Sequence, residues 1–167
     1  EIAVFSNLSR DHLDYHGTLE AYAEAKSRLF AFESLKVAII HLDDAFAPLM
    51  LQVARANPAQ PKVLTYSLQQ AADYSVKDLS FSLEGARFTL VTPQGEYPVH
   101  SPLLGHFNVE NLVASLIAAE QAGFDLAVLC ASTLQLKGAP GRMQVIRDQE
   151  RVFVVDYAHT PVSYTHL

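Results

Sequence analysis

The residues whose types and spacing could do chemistry lie near the start of the chain, where Asp11, His12, Asp14 and His16 fall close together. Carboxylate oxygens with an imidazole suit Mg²⁺ or Mn²⁺, whereas a zinc site usually takes more nitrogen or sulfur. The two histidines have the i, i+4 spacing of helical zinc ligands, but the glycine and threonine that follow place them before the helix. A divalent-metal site and a solvated polar loop both remain open.

Two predicted elements flank this loop. Ile2–Phe5 is an apolar, strand-like segment, and Thr18 is a good N-cap for a helix whose first turn carries Glu20. The polar cluster therefore occupies a strand-to-helix loop, which is where α/β proteins place ligands.

Lys26 is the unusual residue of the helix that follows. It falls on the apolar stripe formed by Leu19, Tyr22, Ala23, Leu29 and Phe30. An ammonium group on an inward face is costly unless it is paired or chemically changed. Either the lysine extends along its stem to solvent, or it is a functional lysine that faces a charged site.

The next segments predict an α/β fold. A buried strand at 36–40 is followed by His41-Leu42-Asp43-Asp44. Either aspartate could cap a helix at 45–56, and a further strand follows at 63–66. This alternation predicts a mostly parallel sheet with helices on both faces. From Tyr74 the apolar residues alternate with polar ones, and turns at 84–85 and 93–95 predict an antiparallel β meander.

The second half of the chain carries four polar residues with a functional interpretation beside a structural one. Asn108 and Asn111 open a helical stripe that ends near Gly123, so they could cap the helix or read the edge of a base. A second helix is predicted at 126–136. Arg142, in a Gly/Pro-rich loop at 137–143, suits a phosphate or carboxylate or is a surface residue. Asp156 ends a predicted buried strand, where it could bind a ligand or cap a helix.

Composition narrows the class of protein. The net charge of -6 and the absence of a basic run argue against a nucleic-acid surface. Cys130 is the one cysteine and is predicted to be a buried thiol, which excludes a disulfide framework. The apolar stretches are too short to span a membrane. The 167 residues form one domain, or one domain and a piece of a second, with a boundary near 143–150.

Five motifs, taken in their order, strongly resemble the Mur ligases. They are Asn-Leu-Ser-Arg-Asp-His-Leu-Asp-Tyr-His-Gly at 7–17, Ala-Lys at 25–26, Gly-His-Phe-Asn-Val-Glu-Asn at 105–111, Gly-Arg-Met at 141–143 and Asp-Tyr-Ala-His-Thr-Pro at 156–161. The resemblance extends to about Pro161, and its last motif is characteristic of the member that adds the third residue of the peptidoglycan stem peptide.

The resemblance implies an activity. In that family ATP phosphorylates a substrate carboxylate, and an incoming amino group attacks the acyl phosphate. The implied substrates are a UDP-linked muramoyl dipeptide and an amino acid, with meso-diaminopimelate favoured over lysine. ATP and two Mg²⁺ ions are the implied cofactors, and the implied enzyme is a cytoplasmic monomer without a nucleic-acid or membrane partner.

The resemblance also implies a role for each matching residue. His12 would bind the second Mg²⁺, and Lys26 matches the lysine that is carbamylated to hold that metal. Asn108 would read adenine with support from Asn111. The remaining expected contacts are Arg142 with the phosphates, Asp156 with the ribose and His159 near the γ-phosphate.

The sequence departs from the family pattern at both ends. The glycine-rich phosphate loop and the acidic ligand of the first Mg²⁺ are absent and are expected before Glu1, so the chain resembles a fragment that is inactive alone. Residues 1–145 would be most of the central ATP-binding domain and 146–161 the start of a C-terminal domain. Residues 162–167 lack a helical stripe and are expected to be a non-native tail.

Two alternatives remain at this point. One is a sibling ATP-dependent ligase, either another Mur ligase or an enzyme of the folylpolyglutamate synthetase type. The other is a metal-dependent hydrolase built on the acid and histidine cluster, which the nucleotide-like asparagine, arginine and aspartate signals disfavour.

Overall fold

The fold is seen in a computed structural model, which describes residues 1–9, 17–148 and 151–157. Its main sheet has six strands in sequence order, and a separate two-stranded sheet follows. The strands are β1 (Ile2–Phe5), β2 (Val37–His41), β3 (Lys62–Ser67), β4 (Tyr74–Ser82), β5 (Gly85–Thr92), β6 (Gly95–Ser101), β7 (Gln144–Asp148) and β8 (Arg151–Val155). The α-helices are α1 (Leu19–Ser27), α2 (Ala47–Ala56), α3 (His106–Gln121) and α4 (Leu126–Ser132).

The first three strands form the predicted parallel sheet. Phe5 pairs with Ile40, and Ile40 pairs with Thr65, so the carboxyl ends of β1, β2 and β3 lie at one edge. Side chains alternate across β2 because successive residues of a strand point to opposite faces. Ala38 packs into the core shared with α1 and α2, whereas Ile39 packs into the core shared with α3 and α4. The sheet therefore has helices on both faces, as predicted.

The start of α1 is confirmed, but its apolar stripe is shorter than predicted. The Thr18 Oγ1 accepts the backbone N–H of Ala21 at 3.1 Å and caps the helix. After Ser27 the chain tightens into a 3₁₀ turn at Arg28–Ala31. Because that turn changes the angular spacing, Leu29 is 43% exposed while Phe30 is 1% exposed.

The meander is also confirmed and joins the parallel strands through β4. That strand pairs with β3 in parallel over only two positions, and then with β5 in antiparallel fashion. The register shifts between Lys77 and Ser80, where Asp78 has a φ of 53°. Such a bulge breaks the alternation of faces, and Phe81 is accordingly 41% exposed.

The two helices after the meander differ in how well the sequence predicts them. The predicted stripe of α3 is fully buried and consists of Val109, Leu112, Val113, Leu116 and Ile117. The predicted helix at 126–136 is shorter, because α4 ends at Ser132 and a 3₁₀ turn, Thr133–Gln135, follows. Asp125 caps α4 by accepting the backbone N–H of Val128 at 2.9 Å.

The prediction of a buried strand near residue 151 is wrong. Strand β8 pairs with β7 in a hairpin, and all its side chains are exposed. Its Val-Phe-Val-Val run has the composition of a core strand, but burial requires an element packed on the sheet, and the described residues place none over it. The hairpin contacts the meander through Arg147, whose Nη2 donates to the carbonyl of Leu83 at 2.6 Å.

None of the helices described here combines the length and the apolar character that a membrane crossing requires.

Candidate functional site

The carboxyl edge of the parallel strands holds a buried polar cluster. The His41 ring, 3% exposed at the end of β2, places Nδ1 2.8 Å from the carbonyl oxygen of Ser6 and Nε2 3.2 Å from a carboxylate oxygen of Asp43. Asp43 accepts the Ser67 hydroxyl at 2.5 Å and the backbone N–H of Leu68 at 2.8 Å. These contacts join the ends of β1, β2 and β3.

The predicted helix-capping role of the two aspartates needs correction. Asp43 makes its hydrogen bonds with residues at the strand ends and does not cap the helix. The N-cap residue of α2 is Phe46, whose side chain makes no capping hydrogen bond. Asp44 accepts the backbone N–H groups of Phe46 and Leu8, each at 2.8 Å. It therefore fixes the loop after β1 as well as the turn before α2.

The electrostatics of Asp43 follow from these contacts. Burial alone would raise the pKa of its carboxyl group. Hydrogen bonds from Ser67, Leu68 and Gln70, together with the His41 ring, outweigh burial and leave the pKa of Asp43 below its ordinary value. Asp43 is therefore a carboxylate at neutral pH.

Lys26 lies in a groove at the same end of the sheet. The side chain is half-buried, and its Nζ lies 5.1 Å from the centroid of the Tyr22 ring, within the range of a cation–π contact. The groove encloses about 310 Å³. Its walls are Val4, Phe5, Ser6, Ala25, Lys26, Arg28, Leu29, Phe30 and Phe32. Lys26 thus faces the end of β1 rather than pointing away from it.

The two asparagines lie at the start of α3. Gly105, with a φ of 92°, precedes the helix, and the Asn108 Nδ2 donates to the carbonyl oxygen of Leu104 at 2.7 Å. The side chain therefore binds the backbone as a donor, whereas the structural interpretation from sequence expected its oxygen to accept helix N–H groups. Asn111 lies one turn later and is exposed.

Arg142 and Asp156 come together at the hairpin. The Asp156 Oδ2 accepts the backbone N–H of Met143 at 2.8 Å, which attaches the loop carrying Arg142 to the chain after β8. The guanidinium carbon of Arg142 lies 5.4 Å from the centroid of the Tyr157 ring. Arg142 is exposed and Asp156 half-buried, so both are placed where a ligand can reach them.

The remaining predicted residues lie outside the described part of the chain. These are Asp11, His12, Asp14, His16 and His159. Within residues 1–9, 17–148 and 151–157, no group of three histidine, cysteine, aspartate or glutamate side chains is arranged to hold a metal ion. The metal site therefore stays a prediction.

Sequence reasoning missed the cluster around His41. A histidine directly after a Val-Ala-Ile-Ile strand was the available signal, since a polar residue at a parallel strand's carboxyl end faces the ligand-binding edge. Its partners Ser6 and Ser67 come from distant positions and give no signal in the sequence.

Comparison with known proteins identifies the family. Residues 1–119 match the Mur ligase middle domain. The chain is 41% identical to UDP-N-acetylmuramoyl-L-alanyl-D-glutamate--2,6-diaminopimelate ligase of Synechococcus elongatus, over 100% of this chain and 33% of that protein. It is 43% identical to the ligase of the same name from Pseudomonas aeruginosa, over 96% of this chain and 33% of that protein.

Solved structures agree with these matches. A structure of a ligase of that name is 71% identical, with a TM-score of 0.88 over 98% of this chain and 34% of that one. MurF from Acinetobacter baumannii is 26% identical, with a TM-score of 0.86 over 99% of this chain and 36% of that one. The chain thus spans about a third of the length of the relatives it matches. On these matches, which cover nearly every described element, the chain belongs to the Mur ligase family.

Proposed function

We propose that this chain supplies most of the ATP-handling domain of a ligase that joins meso-diaminopimelate to UDP-N-acetylmuramoyl-L-alanyl-D-glutamate. The observation that carries the proposal is the 71% identity to a solved ligase of that name across 98% of the chain. The sibling MurF shares the fold at 26% identity, so the fold alone does not separate the two activities. The reaction joins an amino group to a carboxylate that ATP first converts to an acyl phosphate.

The nucleotide contacts proposed for this chain come from two regions. Asn108 and Asn111 would bind the adenine from the start of α3, where Asn108 is held in place by Leu104. Arg142 would contact the phosphates, and Asp156 would contact the ribose. The hydrogen bond from Met143 to Asp156 keeps these two residues close together. A guanidinium fork and a carboxylate suit those two partners, because one donates to phosphate oxygens and the other accepts from hydroxyls.

The Mg²⁺ site proposed here depends on a change in Lys26. An ammonium group repels a divalent cation, whereas a carbamate offers hard oxygen ligands of the kind that Mg²⁺ prefers. The amine of Lys26 would add to dissolved CO₂, forming an N–C bond and releasing a proton. The groove fits this product because the side chain is half-buried and Arg28, also on the groove wall, supplies a positive charge for the anion. His12 would be the second ligand.

These residues would bind and orient the reactants. The bound metal would supply positive charge that stabilises the transferring phosphoryl group. Lys26, as the carbamate, would bind the metal ion at the carboxyl edge of the sheet. His159 is proposed near the γ-phosphate, where an imidazole can donate to a phosphate oxygen.

The test is ligation by the complete protein that contains this chain, because the 167 residues include no Gly-Lys-Thr or Gly-Lys-Ser phosphate loop. The assay supplies the UDP-linked dipeptide and ATP with meso-diaminopimelate, L-lysine or no amino acid. We expect a tripeptide product and ADP with meso-diaminopimelate. No product with either amino acid would overturn the proposal. In a parallel assay with the UDP-linked tripeptide and D-alanyl-D-alanine, product there and none from the dipeptide would assign the sibling activity.

A further inference from the structure

The His41 ring has two hydrogen-bond partners that can only accept. A carbonyl oxygen, that of Ser6, lies 2.8 Å from Nδ1. The Asp43 carboxylate lies 3.2 Å from Nε2, in a pair whose side chains are 3% and 6% exposed. A neutral imidazole carries one ring proton and can donate to only one of these oxygens. Both contacts are satisfied only when the ring carries two protons.

The surroundings stabilise the resulting positive charge. The Tyr66 ring stacks on His41 with centroids 4.5 Å apart and planes 9° apart, so an aromatic face covers the ring. Asp43 supplies the counter-charge, and each of its two oxygens also accepts from a neighbouring donor, Oδ1 from Ser67 and Oδ2 from Leu68. Asp44 and Glu110, which act on the stacked Tyr66 side chain, are also acidic. A buried pair with every hydrogen bond made is the form in which proteins retain buried charge.

We propose that His41 is a positioning residue, held as an imidazolium, that fixes the wall of the Lys26 groove. Ser6, whose carbonyl oxygen His41 binds, lies on that wall. Two residues after Ser6, the backbone N–H of Leu8 donates to the carboxylate of Asp44, which lies in the same turn as Asp43. The 41–44 segment therefore fixes the chain where it leaves β1, along residues 6–8.

The consequence for metal binding rests on the proposed function. Residues that orient the ligands of a metal without touching it commonly change its affinity by about 10–100-fold. His41 would act in this way through Ser6, on the groove that holds Lys26. Its loss should raise the Mg²⁺ concentration needed for half-maximal activity, with a smaller effect on the KM for ATP.

The first experiment reads the ring protons directly and needs no substrate. Nitrogen-15 NMR of the complete protein, with labelled histidine and a His41→Phe variant for assignment, should show both ring nitrogens of His41 protonated at neutral pH. One unprotonated nitrogen would overturn the charge state. The result stands whether or not the protein proves to be a diaminopimelate ligase.

The second experiment compares two variants in the ligation assay. His41→Phe keeps a ring to stack on Tyr66 but removes both donors, and we expect the Mg²⁺ requirement to rise by about tenfold. Asp73→Asn is the matched control, because Asp73 accepts the backbone N–H and the hydroxyl of Thr65 in β3, away from the groove. Equal shifts in both variants, or none in His41→Phe, would overturn the positioning role. An inactive wild type would contradict the proposed function instead.

Discussion

Asp156 accepts the backbone N–H of Met143 at 2.8 Å and so fixes the loop that presents Arg142. The two residues lie on either side of the β7–β8 hairpin. Because the two proposed nucleotide contacts flank the open end of the same hairpin, where Gln144 pairs with Val155, the strand pairing keeps them close together. Changes at Asp156 should therefore affect both the ribose contact and the placement of Arg142.

Replacing Asp156 with alanine should weaken nucleotide binding. Hydrogen bonds to charged groups contribute about 1.5–3 kcal/mol, so we expect the KM for ATP in the complete protein to rise by about tenfold or more. Asp148→Ala is the control, since Asp148 is an exposed carboxylate elsewhere on the hairpin. An unchanged KM for ATP in Asp156→Ala, or the same rise in both variants, would contradict the ribose role.

Lys26→Ala should remove the proposed carbamate and lower kcat by about 10²–10³-fold, the loss typical for one electrostatic stabilising group. Depleting bicarbonate and CO₂ should lower the activity of the wild type and leave the residual activity of the variant unchanged. The control is Lys36→Ala, an exposed lysine just before β2. Undiminished ligation by Lys26→Ala would exclude the carbamate.

The sequence predicts the elements well where hydrophobic periodicity is strong. The stripe of α3 repeats at helical spacing over residues 109–117, and every member is buried. Prediction fails at β8, because a strand's burial depends on what packs on it rather than on its own composition. It also fails at Leu29, since the change from α-helix to 3₁₀ turn is set by tertiary packing that periodicity does not encode.

The candidate site is predictable only where one segment carries the signal. Asn108 and Arg142 lie in motifs that can be read locally, and in the structure Asn108 is half-buried and Arg142 is exposed. The contacts of His41 join residues that are 35 positions apart in the chain and depend on the register of the parallel strands. No local pattern specifies that register, so the cluster emerges only from the fold.

Asn108 and Asn111 should respond differently to substitution. Asn108→Ala removes the donor to the Leu104 carbonyl oxygen, so we expect a loss of about 1 kcal/mol in the free energy of unfolding and weaker ATP binding. Asn111→Ala, at an exposed position, should leave stability unchanged and affect ATP binding less. Urea unfolding and the KM for ATP measure the two effects. Stability loss without any change in KM would leave Asn108 a structural residue only.

Tyr66→Phe should not destabilise the protein. Its hydroxyl is buried and has no hydrogen-bond partner among the described residues, so removing it relieves a desolvation cost of about 1–3 kcal/mol. Tyr74→Phe is the matched control, because the equally buried Tyr74 donates to the Glu120 carboxylate. Urea unfolding should show a neutral or stabilising change for Tyr66→Phe and a loss for Tyr74→Phe. Equal losses would mean that Tyr66 has a partner.

Cys130 should contribute stability that declines in alkaline solution. The thiol is 3% exposed, and burial raises its pKa to about 11. A cysteine in the unfolded chain has a pKa of about 8.5, so above that value the unfolded state holds fewer protons than the folded state. The contribution is thus complete below about pH 8.5 and declines until the pH passes about 11. Urea unfolding between pH 7 and 10 should show a steeper decline for the wild type than for Cys130→Ala. Parallel declines would mean that the thiolate forms equally well in the folded protein.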